Sequence, residues 1–310
     1  MLNLIQSRRS LLPPSKLTLK VACMDRIKRS WTLAKASLEV LKKDKELIIF
    51  PIISGIGVII ITLTFLIPTL VGNVLDNLIS TGIPFFGYVV LFLFYLVQYT
   101  VVYFCNTALV GAAMIRLRGG DPTVKDGFRI AFSRFMPIVG WALVSATVGL
   151  VLNMLSGKGN KKGSGISTMI SKLLGAAWNV VTFLVVPVLA IEGLGPLKAV
   201  QRSWNLLKRS WGEQIAGTIS IGIVFTLVGI LGGLLLVGLG VGLTVALESA
   251  IPAIVCGILL FIFIIILSLI NATLSGIFAA AVYGYAAEGQ VGLIDESLIR
   301  SVVMTEGGGS

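Results

Sequence analysis

Six long stretches of this chain contain no Asp, Glu, Lys or Arg: Leu47–Leu75, Asn77–Ile115, Phe135–Gly157, Leu173–Ile191, Gln214–Leu247 and Ser249–Ala287. A hydrocarbon core about 30 Å thick needs roughly 20 apolar residues per helix, so each stretch is long enough to span once. The mean hydropathy of +0.97 and the 56% apolar content belong to no ordinary soluble domain. Runs such as Val58–Ile61 and Phe261–Ile266 are continuously apolar and show no alternation, which argues for helices over a lipid-facing barrel. The expected fold is all-α: a polytopic bundle of six transmembrane helices.

The first apolar run begins only near position 47, too late and too long for a cleaved signal segment. Residues 1–23 carry Arg8, Arg9, Pro13 and Pro14 without a sustained apolar period. They read either as a disordered basic arm or as the product of a start assigned upstream of Met24. Residues 291–310 form a C-terminal tail. Cys23, Cys105 and Cys256 lie far apart and match no zinc or redox spacing, so no disulfide framework is expected.

Charge sets the orientation. Of the 25 Lys and Arg, 21 fall before the first span, in the connections around 116–134 and 192–213, or in the tail. The turns around Asp76 and Glu248 carry none. The positive-inside rule then places both termini in the cytoplasm of a cell-membrane protein. Lys158, Lys161, Lys162 and Lys172 are the exception, in or beside a Gly/Ser-rich loop assigned to the outside. The net charge of +11 is read as a topology and lipid-surface signal. No basic surface interleaved with aromatics suggests a nucleic acid partner.

The chain also repeats itself. Arg29-Ser30-Trp31-x-Leu33-x-Lys35-x-Ser37 precedes the first span, and Arg202-Ser203-Trp204-x-Leu206-x-Lys208-x-Ser210 precedes the fifth. Apolar residues recur at helical steps in both copies: Ile27, Trp31, Ala34, Leu38 and Leu41, then Leu197, Val200, Trp204, Leu207 and Trp211. A weaker copy, Val124, Phe128, Ala131 and Phe135, precedes the third span. Arg118-Gly119-Gly120, Glu192-Gly193 and Glu288-Gly289 punctuate the ends of the even spans. Three parallel repeats follow, over 24–120, 121–195 and 196–290, each an amphipathic helix plus a transmembrane hairpin. The stripes suit the headgroup layer of an anionic cytoplasmic leaflet, with Trp31, Lys35, Trp204, Lys208 and Trp211 as lipid-interface residues. The competing reading is that they pack against the ends of the bundle.

Chemistry-bearing residues are sparse. With no histidine and no zincin, aspartyl or phosphate-loop motif, neither an enzyme nor a cofactor nor a metal site is expected. No span holds a charge at mid-depth, which disfavours ion-coupled transport. Gln98, Asn106, Asn179 and Asn271 are candidates for a polar cavity; the alternative is hydrogen bonding between helices. Asn106 and Asn179 each lie fourteen residues before a glycine, Gly120 and Gly193. Tyr95, Tyr99 and Tyr103 recur every fourth residue, more in the manner of packing than of a ligand surface. Gly229-x-x-x-Gly233 permits close helix approach, either within the chain or in a homo-oligomer. Among Pro68, Pro187 and Pro252, Pro187 is the best placed to kink a span. Arg116, Arg118, Glu192 and Glu288 end the even spans and would converge at the cytoplasmic mouth, as a gate or as an ion-paired collar.

Met24-Asp25-Arg26-Ile27-Lys28-Arg29-Ser30-Trp31, Phe50-Pro51, Ala190-Ile191-Glu192-Gly193 and Arg202-Ser203-Trp204 resemble an uncharacterised family of prokaryotic multi-pass membrane proteins. That resemblance covers about 24–300 and implies membrane location and six spans, but no activity. More distantly, the layout is similar to the membrane domains attached to some glycerophosphodiester phosphodiesterases, without their catalytic domain. Two functions compete. One is a non-enzymatic protein working through lipid or partner contact in membrane organisation or stress response. The other is a transporter or channel for a small uncharged or amphiphilic solute.

Overall fold

The computed structural model describes residues 38, 40–71, 84–155, 165–209 and 211–288. Among them there is no strand. A 3-10 turn at Lys45–Ile48 leads into α1 (Ile49–Val71), followed by α2 (Pro84–Leu117), α3 (Val124–Ser133) and α4 (Phe135–Leu155). The chain continues through α5 (Gly165–Thr182), α6 (Val185–Ile191), α7 (Pro196–Arg209), α8 (Trp211–Ala246) and α9 (Ile251–Glu288). Six segments are long and apolar enough to cross a membrane: Lys45–Ile67, Val89–Leu117, Phe135–Leu152, Ser171–Ile191, Phe225–Ala246 and Ile251–Glu288. The fourth combines α5 and α6.

Local chemistry explains the boundaries. α2 ends in a Schellman arrangement: Gly120 N–H donates to the Ile115 carbonyl and Gly119 N–H to that of Arg116, both at 2.9 Å. Gly119 adopts φ +86°, which an L side chain resists. α3 then starts from a capping box. The Asp126 N–H donates to the Thr123 hydroxyl, and the Asp126 carboxylate accepts from the Thr123 N–H.

The fourth span breaks at Phe183–Leu184, four residues before Pro187. Proline has no N–H for the carbonyl four residues earlier, and its ring collides with that carbonyl. The break therefore sits where the geometry of Pro187 demands it.

The packed core lies towards one end of the bundle. The last halves of α2 and α9, together with α6, meet there through Leu109, Met114, Leu189 and Ile277, all 2% exposed or less. Gly276 faces Leu109, bringing α9 close to α2. The helices α3 and α7 lie against this core. Gly127 of α3 is so close to α2 that a Cβ there would lie 2.8 Å from the Ala108 carbonyl oxygen. On α7, Ala199, Ser203, Leu206 and Leu207 are buried, while Leu197 is 76% exposed. Within the stripe Leu197, Val200, Trp204 and Leu207, Leu207 is buried and Val200 packs against the core, whereas Leu197 stands outside it. Away from the core, α8 pairs with α9 through Gly229 against Leu267 and Gly232 against Phe263.

Candidate functional site

The densest chemistry sits where the even spans end. Asp44, just before the first span, is 7% exposed and receives both Nε and Nη2 of Arg116. The same guanidinium reaches Asp121 at 2.5 Å. A planar donor fork suits this two-pronged grip on a carboxylate. Arg118, at the end of α2, pairs with Glu288, at the end of α9, at 2.5 Å. Glu192 follows α6 and accepts from Arg202 Nε at 2.9 Å and from the Tyr283 hydroxyl at 2.9 Å. Of the four charges expected to converge, Arg118 and Glu288 pair directly. Arg116 and Glu192 engage other partners: Asp44 with Asp121, and Arg202 with Tyr283.

The Thr123 hydroxyl and N–H, both donating to the Asp126 carboxylate, hold that group below the usual carboxylate range, helped by Arg129 and Lys125. Arg134 stands between α3 and α4. Its Nη2 donates to the Ile191 carbonyl at 3.3 Å, over the end of α6. Gly193, at φ +63°, lies directly beneath the guanidinium, where a Cβ would collide with Nη1. Arg134 Nε is buried without a partner.

Ser203 was legible only as part of the repeated Arg-Ser-Trp. In the structure it is fully buried, and its hydroxyl bridges the break in the fourth span. It donates to the Val181 carbonyl at 2.7 Å and accepts from the Leu184 N–H at 3.2 Å. Serine hydroxyls on neighbouring helices commonly re-satisfy backbone groups freed by proline within a membrane.

The polar candidates inside the spans divide. Gln98, Asn106 and Asn271 are half-buried, and Gln98 Nε2 donates to the Thr62 hydroxyl at 3.4 Å. Asn179, by contrast, is exposed on α5. Its fourteen-residue spacing to a glycine fixes position along a continuous helix, and the break at Phe183–Leu184 interrupts that helix. Tyr95, Tyr99 and Tyr103 stack in sequence, Tyr103 leans on Trp141, and Trp141 stacks on Trp178 at 5.7 Å. The Tyr103 hydroxyl donates to Ser145 at 3.0 Å. The tyrosine row therefore joins α2, α4 and α5 by packing.

Trp204 is half-buried, with Lys208 Nζ 5.2 Å from its ring centroid. Trp31, Lys35 and the side chain of Trp211 lie outside the described residues, as does Cys23. Cys105 and Cys256 are free thiols. Among the described residues no three Cys, Asp or Glu side chains come together to hold a metal ion.

No curated protein matches this chain. A model of a family of unknown function, DUF6159, matches residues 85–293, from the start of α2 to just beyond α9. With more than half its length matched, including both sides of the ion-paired end, the chain belongs to DUF6159, a family whose function is not known.

Proposed function

We propose that this is a non-enzymatic multi-pass protein of the cell membrane that acts through contact with anionic lipid at its cytoplasmic face, in membrane organisation or stress response. The observation that carries this reading is the outer surface of α3, α7 and the start of α4. Lys125, Arg129, Lys198 and Lys208 are exposed there. So are large apolar side chains: Phe132 at 67%, Met136 at 76% and Leu197 at 76%. In water that mixture is costly. At a headgroup boundary the apolar groups enter the acyl layer, and each cation gains about 1 kcal/mol near an anionic surface. Both termini then face the cytoplasm, in keeping with the charge distribution along the chain.

A threefold repeat underlies this surface. Aligning Phe128 with Trp204 puts Gly127 and Ser203 in the same register. Each meets a backbone carbonyl of the preceding even span, Ala108 and Val181 respectively. Those two carbonyls lie twelve residues before Gly120 and Gly193. The amphipathic helix of one unit thus docks on the second span of the unit before it. Applied to the first unit, the same register predicts Ser30 opposite Ile277, twelve residues before Gly289. A cysteine at 30 should cross-link to one introduced beside Ile277; random cross-linking along α9 would refute the repeat.

The functional reading is tested by flotation of the purified full-length protein, in mixed micelles, with vesicles of phosphatidylglycerol or phosphatidylcholine. Retention of the anionic lipid over the neutral one is expected. Equal retention would remove the reading. Transport of a small amphiphilic solute is the second reading, favoured by the half-buried Gln98, Asn106 and Asn271. Against it stands the filling of the charged end by Leu109, Met114, Leu189 and Ile277.

A further inference from the structure

Arg134 differs from every other arginine whose side chain is described. Arg116, Arg118, Arg129 and Arg202 each meet a carboxylate, whereas Arg134 meets none among the described residues. One long bond to the Ile191 carbonyl engages one of its five N–H groups, and the buried Nε has no partner at all. The end of α6 offers only partial negative charge, and a partly buried cation with unsatisfied donors is costly until an anion completes it.

Its setting specifies which anion. Arg134 immediately precedes the candidate span Phe135–Leu152, so in a bilayer it would stand beside the headgroups. Phe135 and Met136, the first two residues of that span, are 41% and 76% exposed. Gly140 of α4 abuts Pro196, which brings the first turn of α7 alongside. That turn adds the exposed Leu197 and Lys198, and Lys198 has no carboxylate partner among the described residues. No acidic residue occupies it.

We propose that Arg134, with Lys198 as a secondary cation, binds the phosphate of an anionic phospholipid whose acyl chains run along Phe135, Met136 and Leu197. The site rests on the lipid-contact reading above and gives it a specific residue and a specific ligand. A soluble phosphate would use the guanidinium but leave the apolar rim uncovered, so the lipid is the occupant.

The test is native mass spectrometry of the full-length protein with phosphatidylglycerol and phosphatidylcholine. Arg134→Gln should weaken phosphatidylglycerol binding about ten-fold, as expected for a charge-assisted contact, and leave phosphatidylcholine unchanged. Arg118→Gln, which removes an equal charge from a half-exposed site already paired with Glu288, should have little effect. Equal losses in the two variants, or no loss in either, would overturn the site while the wild-type preference for anionic lipid survived. A wild-type protein that does not discriminate the two lipids would instead bring down the underlying reading. Displacement of phosphatidylglycerol by millimolar inorganic phosphate would also overturn the lipid assignment. If Arg134→Gln does not fold, a photoactivatable phosphatidylglycerol on the unaltered protein decides the matter. Label on Phe132–Met136 and Leu197 supports the site, and label only elsewhere refutes it.

Discussion

The two halves of α9 are one continuous helix with opposite surroundings. From Ile251 to Ile266 its large side chains are mostly exposed, Ile251 at 68% and Phe261 at 66%, and its main companion is α8. From Thr273 to Tyr283 most residues are buried against α2 and α6. The exposed half is rich in Ile, Leu and Phe; the buried half contains Thr273, Gly276, Ala279, Ala280 and Ala281. In a hydrocarbon solvent, bulk hydrophobicity gives helices no reason to associate, and close backbone approach does. In the packed half, small residues admit close backbone approach between large side chains such as Ile277 and Phe278, which are buried there too.

That contrast can be broken at several strengths. The largest effect is expected at Arg116→Gln, which strands the buried Asp44 carboxylate. Removing one partner of a buried pair costs about 3–5 kcal/mol, and thermal unfolding in detergent should show it. Asp44→Asn in the same background should recover part of the loss. Next comes Gly127→Ala, whose Cβ meets Phe50 and the Ala108 carbonyl at the packed end. Overpacking there should cost about 1–3 kcal/mol. On α8, Gly238 has open space around its Cβ position, and Gly238→Ala should be neutral or stabilise by up to about 1 kcal/mol through helix propensity. Similar losses at both glycines would erase the distinction between the two regions.

Ser203→Ala should cost about 1–3 kcal/mol, since it leaves the Val181 carbonyl and the Leu184 N–H without their partner. Hydrogen exchange at Leu184 should rise more than at Val188, and uniform exchange would rule out the bridge. The smallest effect belongs to Arg118 and Glu288, whose side chains are 50% and 29% exposed. An exposed pair contributes no more than about 1 kcal/mol. Arg118→Glu should lower the melting temperature slightly and Glu288→Arg should restore it; absence of rescue would mean that the pair does not tie α2 to α9.

Membrane helices were legible because length and apolarity alone define them, and the six candidate segments follow the charge-free stretches closely. The break at Phe183–Leu184 was foreshadowed by Pro187, whose reach of four residues fixes the spot. Faces were harder to read. Leu197 and Leu207 belong to one apolar stripe of α7, yet Leu197 is exposed while Leu207 is buried beside Ala199 and Ser203. Asn179 shows the converse failure, since a polar amide in an apolar span need not point inward. The partners of Arg116 and Glu192 were hidden for another reason. Asp44 lies 72 residues before Arg116 and Tyr283 lies 91 beyond Glu192, and no local pattern encodes such meetings. Gly193 did carry a usable signal, because a glycine right after a helix end often marks a left-handed turn.

The hydroxyl bridge across the fourth span has a consequence for biogenesis. Val181 and Leu184 leave the ribosome about twenty residues before Ser203 does. Until α7 has been synthesised and has folded back, one carbonyl and one amide of that span stand without a partner. The span therefore cannot reach its finished shape as an isolated insert, and its maturation waits on the downstream segment that carries Ser203.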